Sequence, residues 1–325
     1  MKDGKWTYQG SSAGYNLVLK HKPFLLTWVR KIVEEARKRH KTLVAFSHYP
    51  LVDFNDGVSE SVRRMWGNRR FDLHRVPEAE VSEAFLQAGL RLHFAGHMHV
   101  NDTGIWEGKD GKHLYNIQVP SIATYVPAYK ILTIESDEAF RVETVTLDTV
   151  PGFDSLFPLY RAEYQSDSLR GHLPVWNKEI LSARTYGEFC DYQFRDLVRL
   201  RFIPRDLPES WRACLDFTGA RILKAVSGED KANNANWTGW CMKDLVLDVY
   251  RLRYAERLAL KDIPETRLAA YRYLFDRARI SPLRSAEVEI VNGLGTLFLA
   301  FLNGEPCQNF VIDLEKRYNH RRLTS

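Results

Sequence analysis

His97 and His99 stand two apart just beyond the apolar run Leu90–Ala95, and His48 stands just beyond a second such run, Thr42–Ser47. Successive side chains of an extended chain point to opposite faces, so His97 and His99 would leave the backbone on one side, roughly 6.5–7 Å apart at Cα. Met98 would then point the other way, into the core. The two ions of a binuclear hydrolase stand about 3.5–4 Å apart, so imidazoles at this spacing can each reach a different ion. Gly96 lets the strand end turn without a Cβ penalty. Functional groups of α/β sheets collect at the carboxyl ends of strands, and two separate strands would deliver histidines there. His93 shares the parity of His97 and His99 but lies mid-strand, and is read as a hydrogen-bonded core histidine.

The elements that must hold these residues are legible in outline. Phe24 to Arg39 places Leu25, Leu26, Val29, Ile32, Val33 and Ala36 at helical spacing with a basic end. Thr42–Ser47 reads as a buried strand that Pro50 stops, and residues 77–88 as a second helix before the strand Leu90–Ala95. Val52 to Val76 reads as a polar loop carrying Arg63, Arg64, Arg69, Arg70 and Arg75 around Trp66. Tyr115–Val119, Tyr129–Glu135 and Phe140–Leu147 read as an antiparallel meander. Strand signals stop at Val150-Pro151-Gly152. Five helices are expected beyond: Asn177–Ile203, Pro208–Ala225, Gly239–Leu260, Pro264–Arg279 and Ala286–Leu302. The expected organisation is therefore an α/β domain over residues 1–150 and a mainly helical domain over 151–325.

Composition narrows the function classes. With 325 residues and 45% hydrophobic content the chain can bury real cores, so a globular protein is expected. The net charge of +5 is spread along the chain, which argues for a mild preference for anions and against a nucleic-acid stripe. Arg251, Arg253, Arg257, Arg267 and Arg272 alternate with acids and read as a solvated helix face. Cys190, Cys214, Cys241 and Cys307 lack any CxxC spacing and read as buried free thiols. No apolar run is long enough for a transmembrane helix.

Ser47-His48-Tyr49-Pro50 and, some fifty residues on, Gly96-His97-Met98-His99 resemble the last two motifs of the calcineurin-like metallophosphoesterase family, GHxP and GHxH, with Ser47 in place of the first glycine. The resemblance covers about residues 20 to 150. It implies a partial metallophosphoesterase α/β sandwich, with His48 and His97 on one metal, His99 on the other, and a phosphoester substrate. It implies two divalent cations in the complete enzyme, for which Mn, Zn, Fe and Mg all qualify. Tyr49 and Asn101, next to the ligands, and Arg63, Arg64, Arg69 and Arg70 in the loop between the motifs are candidate substrate contacts.

The family's DxH, GDxxD and GNHD/E motifs do not precede His48. Asp72-Leu73-His74 fits DxH by letters, but follows no apolar strand and is set aside. The family's leaving-group histidine has no counterpart, and without a carboxylate the site would hold metal weakly or hold one ion. The leading expectation is that this is the latter part of a longer phosphoesterase, inactive alone, exposing apolar sheet surface and prone to aggregate. Two alternatives stand beside it: a degenerate, non-catalytic relative that binds a partner through its helical part, and a mononuclear zinc hydrolase built on the three histidines.

Overall fold

The computed structural model describes residues 13–171 and 175–315. Its architecture is α/β, built around two small sheets. In the first sheet β1 (Ala45–Ser47), β2 (Leu92–Ala95), β4 (His113–Gln118) and β3 (Thr103–Glu107) lie in that spatial order, the first three parallel and β3 antiparallel to β4. The second sheet orders β5 (Ala128–Ile134), β6 (Ala139–Thr146) and β7 (Phe310–Asp313), all antiparallel.

Alternation along each strand decides what each face buries. Leu92, Phe94, Tyr115 and Ile117 pack against Phe140, Val142, Phe310 and Ile312 of the second sheet. On the opposite face Leu114 meets Val29 and Val33 of the helix Phe24–Lys38, and Val81, Phe85 and Leu86 of the helix Ala79–Gln87. His93 and Asn116 fall on this helix-covered face. Residues there are buried on both sides, which is why β2 and β4 are buried along their whole length.

Several expectations are corrected. The strands beyond residue 113 form no single meander: β4 joins β2 in parallel, and β5 and β6 leave for the second sheet. The strand β3 was not foreseen; Gly104 in it lies where a Cβ would meet the Asp53 carbonyl oxygen at 2.5 Å, so only glycine fits. The stretch Val52–Val76 is not a plain loop, because Val62 and Trp66 bury one face of a helix, Ser59–Trp66. Beyond residue 150 helices dominate as expected. Ala286–Leu302 has the expected bounds, with the Ser285 hydroxyl accepting from Val288 N at its start. The long helix expected over Asn177–Ile203 instead begins at Tyr186, capped by Thr185.

The change at residue 150 is one of secondary structure, not of core. A single hydrophobic cluster joins Phe54, Val62, Trp66, Phe71 and Met98 to Leu245, Val249, Leu252, Leu294 and Phe298. The Trp66 and Trp211 rings meet edge-on at 5.0 Å, and β7 returns from the end of the helical region to pair with β6. The later arginines are corrected as well: Arg251 and Arg253 are 2% exposed and lie inside this core. Cys190, Cys214 and Cys307 are buried free thiols, and Cys241 is half-buried. Among the described residues no helix is long and apolar enough to cross a membrane.

Candidate functional site

Because β1 and β2 are parallel neighbours in register Ser47↔Ala95, the chain leaves both strands at the same end of the sheet. His48 follows the first at once; Gly96-His97-Met98-His99 follows the second. The imidazoles meet there: His97 Nδ1 lies 2.7 Å from His48 Nε2, with ring centres 4.6 Å apart. The Tyr49 ring lies 4.2 Å from that of His97 and 4.9 Å from that of His48.

The backbone reaches this arrangement differently from the extended strand expected. His97 and His99 both take left-handed conformations, φ 60° and 56°, and Met98 N donates to the Gly96 carbonyl across His97 at 2.6 Å. The strand therefore ends at Ala95, and the histidines occupy a tight turn instead of alternating along an edge. Met98 is buried in the main core as expected and pins the turn from behind. Non-glycine residues at positive φ are uncommon and need support from their surroundings. Phe71, Asp72, His97 and His99 share this conformation close to one site; Asp56 and Glu256 share it at another.

Burial pushes His97 down to about 4, helped by the Arg75 guanidinium and by its neighbour His48 and opposed by Asp72. Burial, then His48, also lowers His99. His97 and His99 are thus held as neutral imidazoles, the form that binds a metal. His93 is the core histidine anticipated: 1% exposed, with Nε2 2.7 Å from Ser47 Oγ and Nδ1 2.7 Å from Asn116 Oδ1.

The arginine-rich segment contributes through its last member. Arg63 bonds Asn68 and Glu60, Arg64 lies 3.9 Å from Glu60, Arg69 is exposed and Arg70 half-buried. It is Arg75 whose charge bears on His97, held 3.4 Å from Asp72, which Arg205 also approaches at 3.3 Å. Asp72, set aside on sequence, is placed here by a turn whose flanking Phe71 and Leu73 are buried in the core. That apolar–acid–apolar alternation was the available signal. Asn101 is a correction. Its side chain turns inward, accepting from Lys130 Nζ at 2.5 Å and donating to Cys307 Sγ at 3.3 Å.

A second polar cluster escaped sequence reading because its members come from three distant segments. Carboxylate oxygens of Asp56, Asp102 and Glu256 lie within 4.8 Å of one another and could hold a metal ion; among the described residues no other group of His, Cys, Asp or Glu does so, the three histidines included. Burial, with mutual repulsion, raises Asp102 well above the carboxylate range and Asp56 to about 8. Lys130, half-buried, with its ammonium desolvated and lowered to about 8, feels the charges of Glu256 and Asp102 and supplies a cation of the protein's own.

No family model matches this chain, and no curated protein matches it.

Proposed function

We propose that His48 and His97 hold a divalent cation and that the site hydrolyses a phosphoester. The observation that carries the reading is the convergence of two imidazole nitrogens, 2.7 Å apart, at the carboxyl ends of adjacent parallel strands. Two nitrogens bound to one zinc ion at about 2.0–2.1 Å stand roughly 3 Å apart, so a small opening of the pair admits an ion. The donors fit: His97 is held neutral, and imidazole suits Zn or Fe better than Mn or Mg. Packing of the first sheet against the second through Phe94 and Phe140, with helices on its other face, supports a metallophosphoesterase-like sandwich as the scaffold.

A bound divalent cation supplies Lewis acidity toward a phosphoryl oxygen and lowers the pKa of a bound water. The chain's own residues do the rest. Arg75, beside His97, offers a guanidinium to the phosphoryl oxygens, with Asp72 and its partner Arg205 fixing it. Tyr49 packs on the His97 ring, and Met98, buried in the core, anchors the turn that carries it. His99, exposed and kept neutral, is free to take up or give a proton, or to complete the ligand set.

The direct His48–His97 contact also favours a second reading, a mononuclear centre, since two nitrogens this close serve one ion more readily than two. Metal content of the purified chain after exposure to zinc or manganese tests both, with hydrolysis of a nitrophenyl phosphodiester measured alongside. The expected result is a bound ion, lost in the His48→Ala, His97→Ala double variant together with any hydrolysis the chain supports. Ion content unchanged in that variant, or hydrolysis surviving it, would overturn the assignment.

A further inference from the structure

We infer that the helical region carries a second site, independent of the histidines, that binds a small aromatic or alkyl ammonium ion. A cavity of about 490 Å³ opens between the segment after β4 and the helices Phe157–Leu169 and Tyr186–Leu197. That volume falls in the range of small-molecule sites, about 300–1,000 Å³. Five aromatic side chains line it, among them Tyr160, Trp176 and Phe189. Neighbours brace them: Trp176 packs edge-on against Tyr164 at 5.1 Å, and Phe189 lies 5.6 Å from Phe157. The rings are a preformed wall.

Charge selects the ligand. Among the described residues that line the cavity none is basic, while Glu163 and Asp196 are acidic. Asp196 is already used, accepting from Arg199 at 2.7 Å and from Asn177 N at 2.7 Å. Glu163 lies exposed on the helix Phe157–Leu169, with no ion-pair partner among the described residues. The neighbouring Arg161 turns to the Leu181 carbonyl and lines a separate hollow. Within the wall, Thr124 Oγ1 is buried without a hydrogen-bond partner among the described residues. An ammonium ion is attracted to the faces of Tyr and Trp within about 6 Å, most strongly where water is excluded. Aromatic faces, one unpaired carboxylate and one unmet hydroxyl therefore suit a ligand with a cationic head and an apolar body. A carboxylate or phosphate would meet Glu163 and the negative ring faces.

The probe is benzyltrimethylammonium, titrated calorimetrically into the full chain beside 2-phenylethanol, which keeps the ring without charge, and phenylacetate, which reverses the charge. The cation should bind saturably, about tenfold more tightly than the alcohol, with phenylacetate weakest. Glu163→Gln, at an exposed position, should weaken the cation about fivefold and leave the alcohol unchanged. Trp176→Ala should weaken it about tenfold. Equal binding of alcohol and cation would reduce the site to a plain apolar cavity and overturn the proposal. So would unchanged affinity in both variants, or no saturable binding to chain that is folded by circular dichroism.

Discussion

His97 Nδ1 and His48 Nε2 face each other at 2.7 Å, and the Tyr49 ring, 4.2 Å from that of His97, stops the imidazole from swinging away. A ligand's orientation is worth as much as its identity: removing a side chain that aims a metal ligand costs about 10–100-fold in affinity. Tyr49→Ala should therefore weaken zinc binding by at least about tenfold without abolishing it, whereas His97→Ala should abolish it. Competition against a chromophoric chelator measures both. Equal affinity in Tyr49→Ala and wild type would show that the His97 turn, with Met98 beneath it, orients the ring unaided.

His93 gives the fold an acid limit. Burial lowers its pKa from the usual 6.5 to about 4, while Asn116 Oδ1, which also accepts from Leu51 N, requires a proton on Nδ1. Protonation favours the unfolded chain. Above the unfolded value the histidine adds no pH dependence; stability then falls as pH drops from 6.5 toward 4, and the loss levels off below. Its full size is on the order of 3 kcal/mol. Denaturant melts should reveal the loss, and His93→Gln should be weaker at neutral pH but flatter across this window. A parallel slope in the variant would assign the acid sensitivity elsewhere.

How much of this could be read beforehand follows from range of interaction. Local signals worked: helical spacing in Phe24–Lys38, the cap and apolar run of Ala286–Leu302, and imidazoles after two apolar strands. Where they failed, a distant partner decided. The turn at His97 depends on Met98 finding the helical core, Arg75 becomes relevant only because Phe71 and Leu73 are buried behind it, and Asn101 is drawn inward by Lys130. The helix face carrying Arg251 and Arg253 has the letter pattern of a solvated surface; what buries it is Asp191, sixty residues earlier, and the carbonyl of Phe71. No window of the sequence contains those pairings.

Arg251 is the centre of a buried ion network, 2.6 Å from Asp191, 3.0 Å from Asp248, and 3.2 Å from the Asp262 carbonyl oxygen. Arg251→Met would leave carboxylates in the core with fewer partners, a change that costs about 3–5 kcal/mol. Burial already raises Asp248 to about 6 despite Arg267 and Arg251, so removing one cation raises it further. A carboxyl with a raised folded pKa stabilises at low pH and loses that stability as pH climbs toward the folded value. The variant's deficit should therefore be larger at pH 8 than at pH 5, and adding Asp248→Asn should recover part of it. Thermal melts at the two pH values provide the check; a pH-independent deficit would point to lost packing instead of stranded charge.

β1 is the outermost strand of its sheet, and Phe46 on it is 71% exposed, stacked on Phe94 at 5.4 Å but uncovered by the second sheet. Phe24 and Trp28 add exposed rings on the helix Phe24–Lys38. A short edge strand with an apolar side chain in water invites pairing with another copy, and a lysine on such an edge is the usual deterrent. Phe46→Lys gives up little burial, so it should cost under about 1 kcal/mol in stability. Self-association should fall well out of proportion to that cost, measured by light scattering or sedimentation across a concentration series. If the variant associates as wild type does, the β1 edge is not the adhesive surface, and the same replacement at Trp28 would locate it on the helix.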